Sequence, residues 1–343
     1  MSIAVTPDVQ STLYQAAARA TLAPSIHNTQ PWRFVVRAGV LDVYADRRWR
    51  VPIVDPTGRQ LALSCGAAVF AVRASLAAAR IDAVTVLLPD AAQPDLFASI
   101  EVVGTTTDPD PDARRLDAAA ESRHSNRRQF TKELLSEGAL TALIHAADVE
   151  GAWLHPVRDE TDRVTLASLS QHADAMQHAD PAYRAEMRSW TTADPERRDG
   201  VPAGAVPHVT GEAHDEIPIR DFDTAGAGEL PADTHSRMTQ TLVLLGTAGD
   251  AMRDWLVAGQ ALGRVLLELT SAGFVASVLS QVVEEPSTRA QLSHDLRLTG
   301  YPQLLLRVGV ADPTPASPRR PLSDVISTDL APSGDGHPAL AVR

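Results

Sequence analysis

Cysteine is nearly absent from this sequence, which has only Cys65 among its 343 residues. One thiol cannot form an intramolecular disulfide, and it excludes any metal cluster built on several cysteines. Because Cys65 lies in an alanine-rich apolar run, we expect it to be a small buried residue of a helix. Aromatic residues are also scarce, at 4% of the chain, whereas hydrophobic residues reach 44%. This composition favours a sizeable core in which helices pack through small side chains.

Positive charge is in deficit, with 31 Lys and Arg residues against 43 Asp and Glu residues and a formal net charge of −12. Such a balance argues against general binding to nucleic acids or to anionic membranes. We expect no membrane span, because no apolar run approaches the roughly 20 residues that a spanning helix requires. Residues 1–10 lack the charged start and apolar core of a signal peptide, so we expect a cytoplasmic protein.

Several motifs with a known chemistry are missing as well. The chain has no Gly-Lys-Ser/Thr phosphate loop, no Gly-x-Gly-x-x-Gly dinucleotide turn and no Gly-x-Ser-x-Gly nucleophile elbow. Histidines cluster between residues 158 and 238, but their spacings fit no common zinc pattern. These histidines are His172, His178, His208, His214 and His235. We therefore expect a solvated histidine-containing surface and no metal site.

The order of the predicted elements suggests two similar halves. In the first, a helix ending near residue 22 precedes a strand hairpin, a long apolar helix over 61–79 and two strands. A Thr-, Asp- and Pro-rich linker over 105–112 leads to a second series of a helix, a strand, a helix over 258–269 and a closing strand over 304–310. The two long helices can be aligned with Gly66 on Gly259.

This alignment predicts an α+β fold duplicated within one chain, with halves 1–112 and 113–343. The rival interpretation is an unduplicated α+β chain with two similar alanine-rich helices. The second half also carries an insertion over about residues 158–238, which begins helical and becomes rich in proline, glycine and charge from Asp194 onward. A segment of this length is typically a lid or a disordered excursion, and both interpretations stay open here.

The most distinctive stretch runs from Ala23 to Phe34 and reads Ala-Pro-Ser-Ile-His-Asn-Thr-Gln-Pro-Trp-Arg-Phe. Its short polar side chains follow a helix that Pro24 ends. Such a loop can present backbone N–H groups and side-chain amides to a flat polar ligand, although a polar helix end with a buried Trp32 is the simpler alternative. The pattern Pro-Ser-x-x-Asn-x-Gln-Pro-Trp-x-Phe resembles the loop that flavin-dependent nitroreductases place against FMN.

Three further segments carry the same resemblance. Arg-x-Ser-x-Arg at residues 123–127 is similar to the N-terminal flavin motif of nitroreductases, although Arg128 competes with Arg127 for the last position. Arg-Arg-Pro at 319–321 is similar to the C-terminal segment whose basic residue binds the FMN phosphate. Residues 277–281 lie where the family passes backbone N–H groups beside the flavin. The cofactor-binding residues implied by the resemblance are Pro24, Ser25, Asn28, Gln30, Arg123, His124, Ser125, Arg127, Leu279, Ser280, Gln281, Arg319 and Arg320.

The chain as a whole resembles the tandem nitroreductase-like proteins of actinobacteria, the Acg type. This resemblance implies a mostly antiparallel sheet packed with helices in each half, a pseudo-dimer formed within one chain, and FMN without a metal. The Asn-containing loop belongs to the first half and both basic motifs belong to the second half. The resemblance therefore implies one complete FMN site per chain and a protein that acts as a monomer.

Two functions follow from this resemblance. As an enzyme, the protein would use NAD(P)H to reduce FMN and would pass the electrons to a nitro or quinone-type acceptor, with the chemistry carried by the flavin and not by a side chain. Alternatively, an inserted helix with Tyr183, Met187 and Trp190 would cover the flavin as a lid. The protein would then store or sequester FMN with little or no reductase activity.

Overall fold

The computed structural model describes residues 7–106, 110–207, 217–222, 228–230 and 240–328. The helices in these ranges are α1 (Pro7–Ala20), α2 (Arg59–Ala78), α3 (Ala113–Ala119), α4 (Glu137–Val149), α5 (Glu160–Ala179), α6 (Pro181–Trp190), α7 (Met252–Ser271), α8 (Gln281–Glu284), α9 (Pro286–Asp295) and α10 (Leu322–Val325). The strands are β1 (Trp32–Arg37), β2 (Val40–Ala45), β3 (Ile81–Leu87), β4 (Leu96–Thr105), β5 (Trp153–Pro156), β6 (Thr191–Thr192), β7 (Val201–Pro202), β8 (Thr241–Thr247), β9 (Val275–Val278), β10 (Tyr301–Gly309) and β11 (Ile326–Ser327). His208, His214 and His235 lie outside the described residues.

The described chain forms a mixed α+β fold with two main sheets. The first sheet has the order β11-β1-β2-β4-β3, in which only the β1–β11 pair is parallel. The second has the order β5-β8-β10-β9 and is antiparallel throughout. Strand β11 lies near the end of the described chain, yet Phe34 of β1 pairs with Ile326. The C-terminal segment therefore completes the sheet that the N-terminal half begins.

Strand β10 shows why the second sheet is buried on both faces. Leu304 and Leu306 pack into a cluster with α4 and α7, whereas Leu305 points to the opposite face and packs with α5, α8 and α9. This alternation follows from the two-residue period of a strand. Helix α5 opens the predicted insertion, and its Leu166 is fully buried. The first helix of the insertion is consequently part of the core.

Helices α2 and α7 form the centre of the molecule, as the long apolar runs in the sequence predict. Cys65 is fully buried on α2, which confirms the expectation from its apolar neighbours. The two helices cross at Gly66 and Gly259. A Cβ atom on Gly66 would lie 3.0 Å from the Cα of Gly259 and closer still to the carbonyl oxygen of Leu256. A Cβ on Gly259 would meet Gly66 at 2.8 Å and the carbonyl of Leu63 in the same way.

Helix α2 also corrects the expectation that no apolar run reaches the length of a membrane span. Among the described residues, Arg59–Ala78 is long and apolar enough to cross a membrane, with a mean hydropathy of 1.7 in its most apolar window. However, 78% of that window is buried inside the protein. The expectation was wrong because many residues of this helix are small Ala, Gly, Ser and Cys residues. Each of these is only weakly apolar or polar, but the helix as a whole has a high mean hydropathy.

The helix crossing leads to a prediction about stability. Gly66→Ala should lower the free energy of unfolding by about 2 kcal/mol, because the new methyl group overlaps the α7 backbone and the helices must separate. Urea unfolding measures this change. Gly138→Ala is the matched control, since Gly138 lies on α4 with nothing within 4 Å of an added Cβ. It should be neutral or stabilising by up to about 1 kcal/mol. Equal effects of the two substitutions would contradict the close crossing.

Candidate functional site

The loop between α1 and β1 has an unusual backbone. His27, Asn28 and Gln30 have φ angles of 45°, 56° and 52°, in the left-handed region that residues other than glycine seldom adopt. Ser25 helps to hold this conformation, because its hydroxyl accepts a hydrogen bond from the backbone N–H of Gln30 at 3.0 Å. Strained backbone of this kind persists only where the surroundings fix it, and it clusters at functional sites.

The side-chain amides of this loop bond to distant parts of the same chain. Asn28 Nδ2 donates to the carbonyl oxygens of Gly200 and Pro318, each at 3.0 Å, and its Oδ1 accepts from Arg319 at 3.0 Å. Gln30 Nε2 donates to the carbonyl of Arg198 at 2.9 Å, and its Oε1 accepts from the backbone N–H of Arg320 at 2.8 Å. Both amides thus tie the loop to the insertion and to the C-terminal segment.

A pocket of about 740 Å³ of atom-free space, part of it open to solvent, lies between this loop, α2, α7 and β9. The pocket brings together six residues that the sequence placed at the site, namely Pro24, Ser25, Ser125, Arg127, Leu279 and Ser280. The segment with Ser125 is held there by a bridge to Ala276 of β9. Asn28, Gln30, Arg123, His124, Gln281, Arg319 and Arg320 are not among the lining residues.

Two arginines line the pocket, and the first of them, Arg127, gives it a positive charge. The guanidinium of Arg127 lies 4.9 Å from the ring centre of Phe222 and donates to the carbonyl of Ala205 at 3.3 Å. No carboxylate of the described residues pairs with it. Burial, together with the charge of Arg220, lowers the pKa of Arg127 to about 10. Arg127 is therefore a cation at neutral pH, with no partner charge on the described chain.

Arg220 is the second pocket arginine, and it is neutralised within the chain. Its guanidinium pairs with Glu284 at 2.6 Å, and both side chains are buried, with exposed fractions of 7% and 2%. It also donates to Tyr183 Oη at 2.8 Å and to Ser280 Oγ at 3.1 Å. Burial acts to raise the pKa of Glu284, but the Arg220 charge together with hydrogen bonds from Arg220, Ser280 and Gln177 holds that pKa below its usual value. This network fastens residues 219–222, part of the insertion, over the pocket.

The residues expected to form the lid do not line the pocket, and two of them pack against Phe222 of residues 219–222. Tyr183 and Met187 are buried with Val51, Val54 and Phe222 in one apolar cluster. Trp190 is partly exposed, with its ring centre 6.4 Å from that of Trp49. None of Tyr183, Met187 and Trp190 lines the pocket. Three other residues of the insertion do so, namely Ile219, Arg220 and Phe222.

A second group of cations includes Arg123, which precedes the pocket residue Ser125 by two positions in the sequence. Buried Arg123 donates to the carbonyl of Leu22 at 3.2 Å, and half-buried Arg319 donates to the same carbonyl at 3.1 Å. Burial and the charge of Arg319 lower the pKa of Arg123 to about 9, and burial lowers that of Arg319 to about 10. Burial and these two arginines also lower the pKa of His124. No described carboxylate neutralises the pair, so the cluster is suited to an anion.

Two expected site residues take up other contacts. Arg320 stacks on Trp49, with its guanidinium carbon 4.3 Å from the ring centre, and donates to the carbonyl of Gln30. Its pKa is lowered to about 10 by burial, although the nearby Asp46 acts to raise it. Gln281 is buried, and its amide donates to Asp174 of α5 at 2.5 Å. Neither side chain faces the pocket in this structure.

Sequence reasoning missed several lining residues. His27 belongs to the recognised loop and could have been found there, since its position is flanked on both sides by motif residues. Gln60 and Ser64 lie on the first turns of α2, where an apolar helix is broken by polar groups. Arg220 and Phe222 belong to a segment without periodicity, so only the fold brings them to the pocket. Across the described residues, no group of three or more potential metal ligands converges.

Comparison with known proteins identifies the family. No protein-family model matches the chain. Protein Rv3127 of Mycobacterium tuberculosis, which is named as uncharacterized, is 32% identical over 332 residues, covering 93% of this chain and 94% of its own. The "Putative NAD(P)H nitroreductase acg" of the same organism is 30% identical over 330 residues, covering 94% and 96% of the two chains. The chain therefore belongs to the Acg family of nitroreductase-like proteins.

Two solved structures show a distant similarity. A structure titled as a "putative nitroreductase" from Anabaena variabilis aligns over 90% of both chains with a TM-score of 0.46 and 11% identity. A nitroreductase with bound FMN from Bacteroides fragilis covers 57% of this chain and 88% of its own, with a TM-score of 0.35 and 13% identity.

The buried ion pair beside the pocket yields a prediction. Glu284→Gln should lower the free energy of unfolding at neutral pH by about 3 kcal/mol, because it leaves the Arg220 charge buried without a partner. The pKa of Glu284 is lower in the folded state than its ordinary value of 4.5, so the pair stabilises above that pH and the stabilisation is lost as the pH falls. The variant should therefore lose less stability on acidification than the wild type in urea unfolding.

The control for this prediction is the exposed pair between Glu137 and Arg158. Glu137→Gln should leave stability unchanged at neutral pH, because exposed ion pairs contribute little. If Glu284→Gln behaved like the control, Arg220 would not depend on Glu284, and the segment over the pocket would be held by other contacts.

Proposed function

We propose that this chain binds FMN in the pocket and acts as a nitroreductase-type oxidoreductase that takes electrons from NAD(P)H. One observation supports the proposal most strongly. Three pairs of residues that are far apart in sequence line the same pocket, namely Pro24 and Ser25, Ser125 and Arg127, and Leu279 and Ser280. These are the segments whose patterns resemble flavin-binding motifs. The printed name of the Acg relative supports the electron donor and the reaction class.

The cationic cluster fits the phosphate of FMN. Arg123 and Arg319 are two guanidiniums without a carboxylate, and the Nη1 atom of Arg123 is buried with no hydrogen-bond partner among the described residues. Charge-assisted hydrogen bonds from arginine suit phosphate geometry, so Arg123 Nη1 would bind the phosphate. Arg319 would add positive charge beside it, because its guanidinium N–H groups already donate to backbone carbonyls and to Asn28 Oδ1. His124 lies beside them and stays neutral because its pKa is lowered. Arg320 would act indirectly, by holding the Gln30 carbonyl.

The pocket itself fits a planar ring. Leu63, Leu262 and Leu304 supply apolar wall, and no Asp or Glu is among the lining residues. Arg127 would face the polar edge of the ring, where a nearby positive charge favours the electron-rich state. When bound, FMN would supply the hydride and electron transfer, and the side chains would position it and exclude water.

We further propose that the fold is a tandem pseudo-dimer of residues 1–112 and 113–343. The reciprocal crossing of α2 and α7 supports this, because Gly66 meets the backbone three residues before Gly259, and Gly259 meets the backbone three residues before Gly66. A two-fold axis through the crossing produces such a relation. The pocket takes the 24–27 loop from one half and residues 125–127 and 277–280 from the other. One chain would then build its own site and act as a monomer.

A second candidate function is FMN storage or sequestration. The observation that favours it is the clasp of Arg220, Glu284 and Tyr183, which holds residues 219–222 against the pocket. A segment pinned by a buried ion pair opens less readily than a solvated loop. If it remains closed, a nicotinamide ring does not reach the flavin. The reductase is the first proposal, because lids that exclude water during reaction also open for exchange.

Anaerobic stopped-flow absorbance separates the two candidates. FMN-loaded protein mixed with NADPH or NADH should lose its flavin absorbance near ~450 nm if nicotinamide reaches the ring. Ala substitution at Arg220 should accelerate this reduction if opening of the clasp limits it. Flavin that stays oxidised with both donors, but is reduced by dithionite, would overturn the reductase proposal and support storage. A preparation that cannot take up FMN would overturn both.

A further inference from the structure

Two side chains that line the pocket have polar atoms without partners. Both ring nitrogens of His27 and the Nε2 atom of Gln60 are buried and form no hydrogen bond with any described residue. His27 and Gln60 are each 6% exposed. About 90% or more of buried polar groups in proteins are hydrogen-bonded, so three unpartnered atoms around one pocket call for an explanation.

The backbone at His27 strengthens this observation. Its φ of 45° is maintained by the bonds of the neighbouring Asn28 and Gln30, which tie the loop to other segments. A strained backbone that places an unpartnered imidazole at a pocket is typical of a binding site. Asn28, in contrast, already bonds to Gly200, Pro318 and Arg319. The amide that the family resemblance assigns to the ligand is therefore engaged within the chain.

The surroundings of His27 define its chemistry. Its ring meets that of Phe222 edge to face, at 5.4 Å between centres and 89° between planes, which fixes the orientation of the imidazole. Burial, then the charges of Arg220 and Arg127, hold the pKa of His27 well below its usual range. The ring is neutral and offers one N–H donor and one nitrogen acceptor, while the Gln60 amide offers donors.

We propose that His27 and Gln60 form the polar subsite that hydrogen-bonds the edge of the planar heterocycle bound in this pocket. The subsite matches a ring edge on which carbonyl oxygens alternate with an N–H group. Gln60 donates to a carbonyl oxygen of that edge, and His27 completes the set as a donor or acceptor. This inference rests on the proposed function and assigns to His27 and Gln60 the role that the loop motif alone would give to Asn28.

Flavin-stripped protein tests the subsite through ring affinity. FMN and riboflavin are titrated by quenching of flavin fluorescence against the wild type, His27→Leu and Gln60→Met. Each substitution should raise both dissociation constants by about fivefold to tenfold, because each removes hydrogen bonds to the ring. His27→Gln restores a donor and an acceptor and should remain within about twofold of the wild type. Arg123→Met should weaken FMN but not riboflavin, which has no phosphate.

Thermal unfolding of the flavin-free protein distinguishes a ligand-binding role from a structural one. Loss of a structural contact would lower Tm, whereas removal of an unpartnered polar group should raise it. Gln60→Met should raise Tm by about 2 °C, because a buried unpartnered amide is removed from a helix. Thr29→Val is the matched control, since its hydroxyl is also buried and unpartnered but does not line the pocket. It should raise Tm similarly and leave both dissociation constants unchanged.

Failure of the His27 and Gln60 subsite can be distinguished from failure of FMN binding. Wild-type protein that binds FMN, with His27→Leu and Gln60→Met binding equally well, would overturn the subsite and leave the proposed function intact. A loss of affinity in Thr29→Val as large as in the other two would also overturn it, since any change in the core would then suffice. Wild-type protein that binds neither flavin would overturn the subsite and the proposed function together.

Discussion

The close crossing of α2 and α7 is the constraint on which the rest of the structure depends. Gly66 and Gly259 allow the two backbones to approach until no side chain fits between them. This contact fixes the distance between the two sheets, each packed on its own central helix. The pocket lies beside the crossing and takes residues from both helices, including Leu63 of α2 and Leu262 of α7. The helix crossing therefore positions one wall of the pocket, and the loops at residues 24–27, 125–127 and 219–222 supply much of the rest.

The arginines in and near the pocket differ in whether their charge is neutralised within the chain. The protein carries a net charge of −12, yet Arg123, Arg127 and Arg319 have no carboxylate partner among the described residues. Arg220 shows the alternative, a buried guanidinium neutralised by Glu284. Uncompensated charges in partly buried positions cost stability unless an anion joins them. The contrast divides these arginines into one that is paired within the chain and three whose charge no described carboxylate compensates.

Much of the fold was accessible from the sequence because it depends on local patterns. The periodicity of apolar residues predicted the two central helices, and the structure extends the second one to Met252–Ser271. The closing strand predicted at 304–310 is observed at Tyr301–Gly309. The addition of β11 to the first sheet was not predicted, since the pairing of Phe34 with Ile326 depends on chain positions almost 300 residues apart. No local pattern encodes such a contact.

Less of the candidate site than of the fold could be predicted from the sequence. Motifs located Ser25, Ser125 and Arg127, which line the pocket, because backbone geometry near these positions is set by their immediate neighbours. They could not show that the Asn28 amide is bonded within the chain, or that Arg320 stacks on Trp49. Those contacts arise only when the C-terminal segment folds back over the loop. Side-chain direction in an irregular loop is decided by tertiary partners, which sequence spacing does not specify.

The stoichiometry of FMN binding shows whether one chain assembles a complete pocket on its own. Flavin-stripped protein at a concentration well above the dissociation constant would be titrated with FMN, and the equivalence point would be read from fluorescence quenching together with the mass of the complex. We expect a sharp end point at one FMN per monomeric chain, because one chain supplies one set of loop, serine and arginine groups. Two equivalents, or a site that forms only between two chains, would contradict a pocket assembled within a single chain.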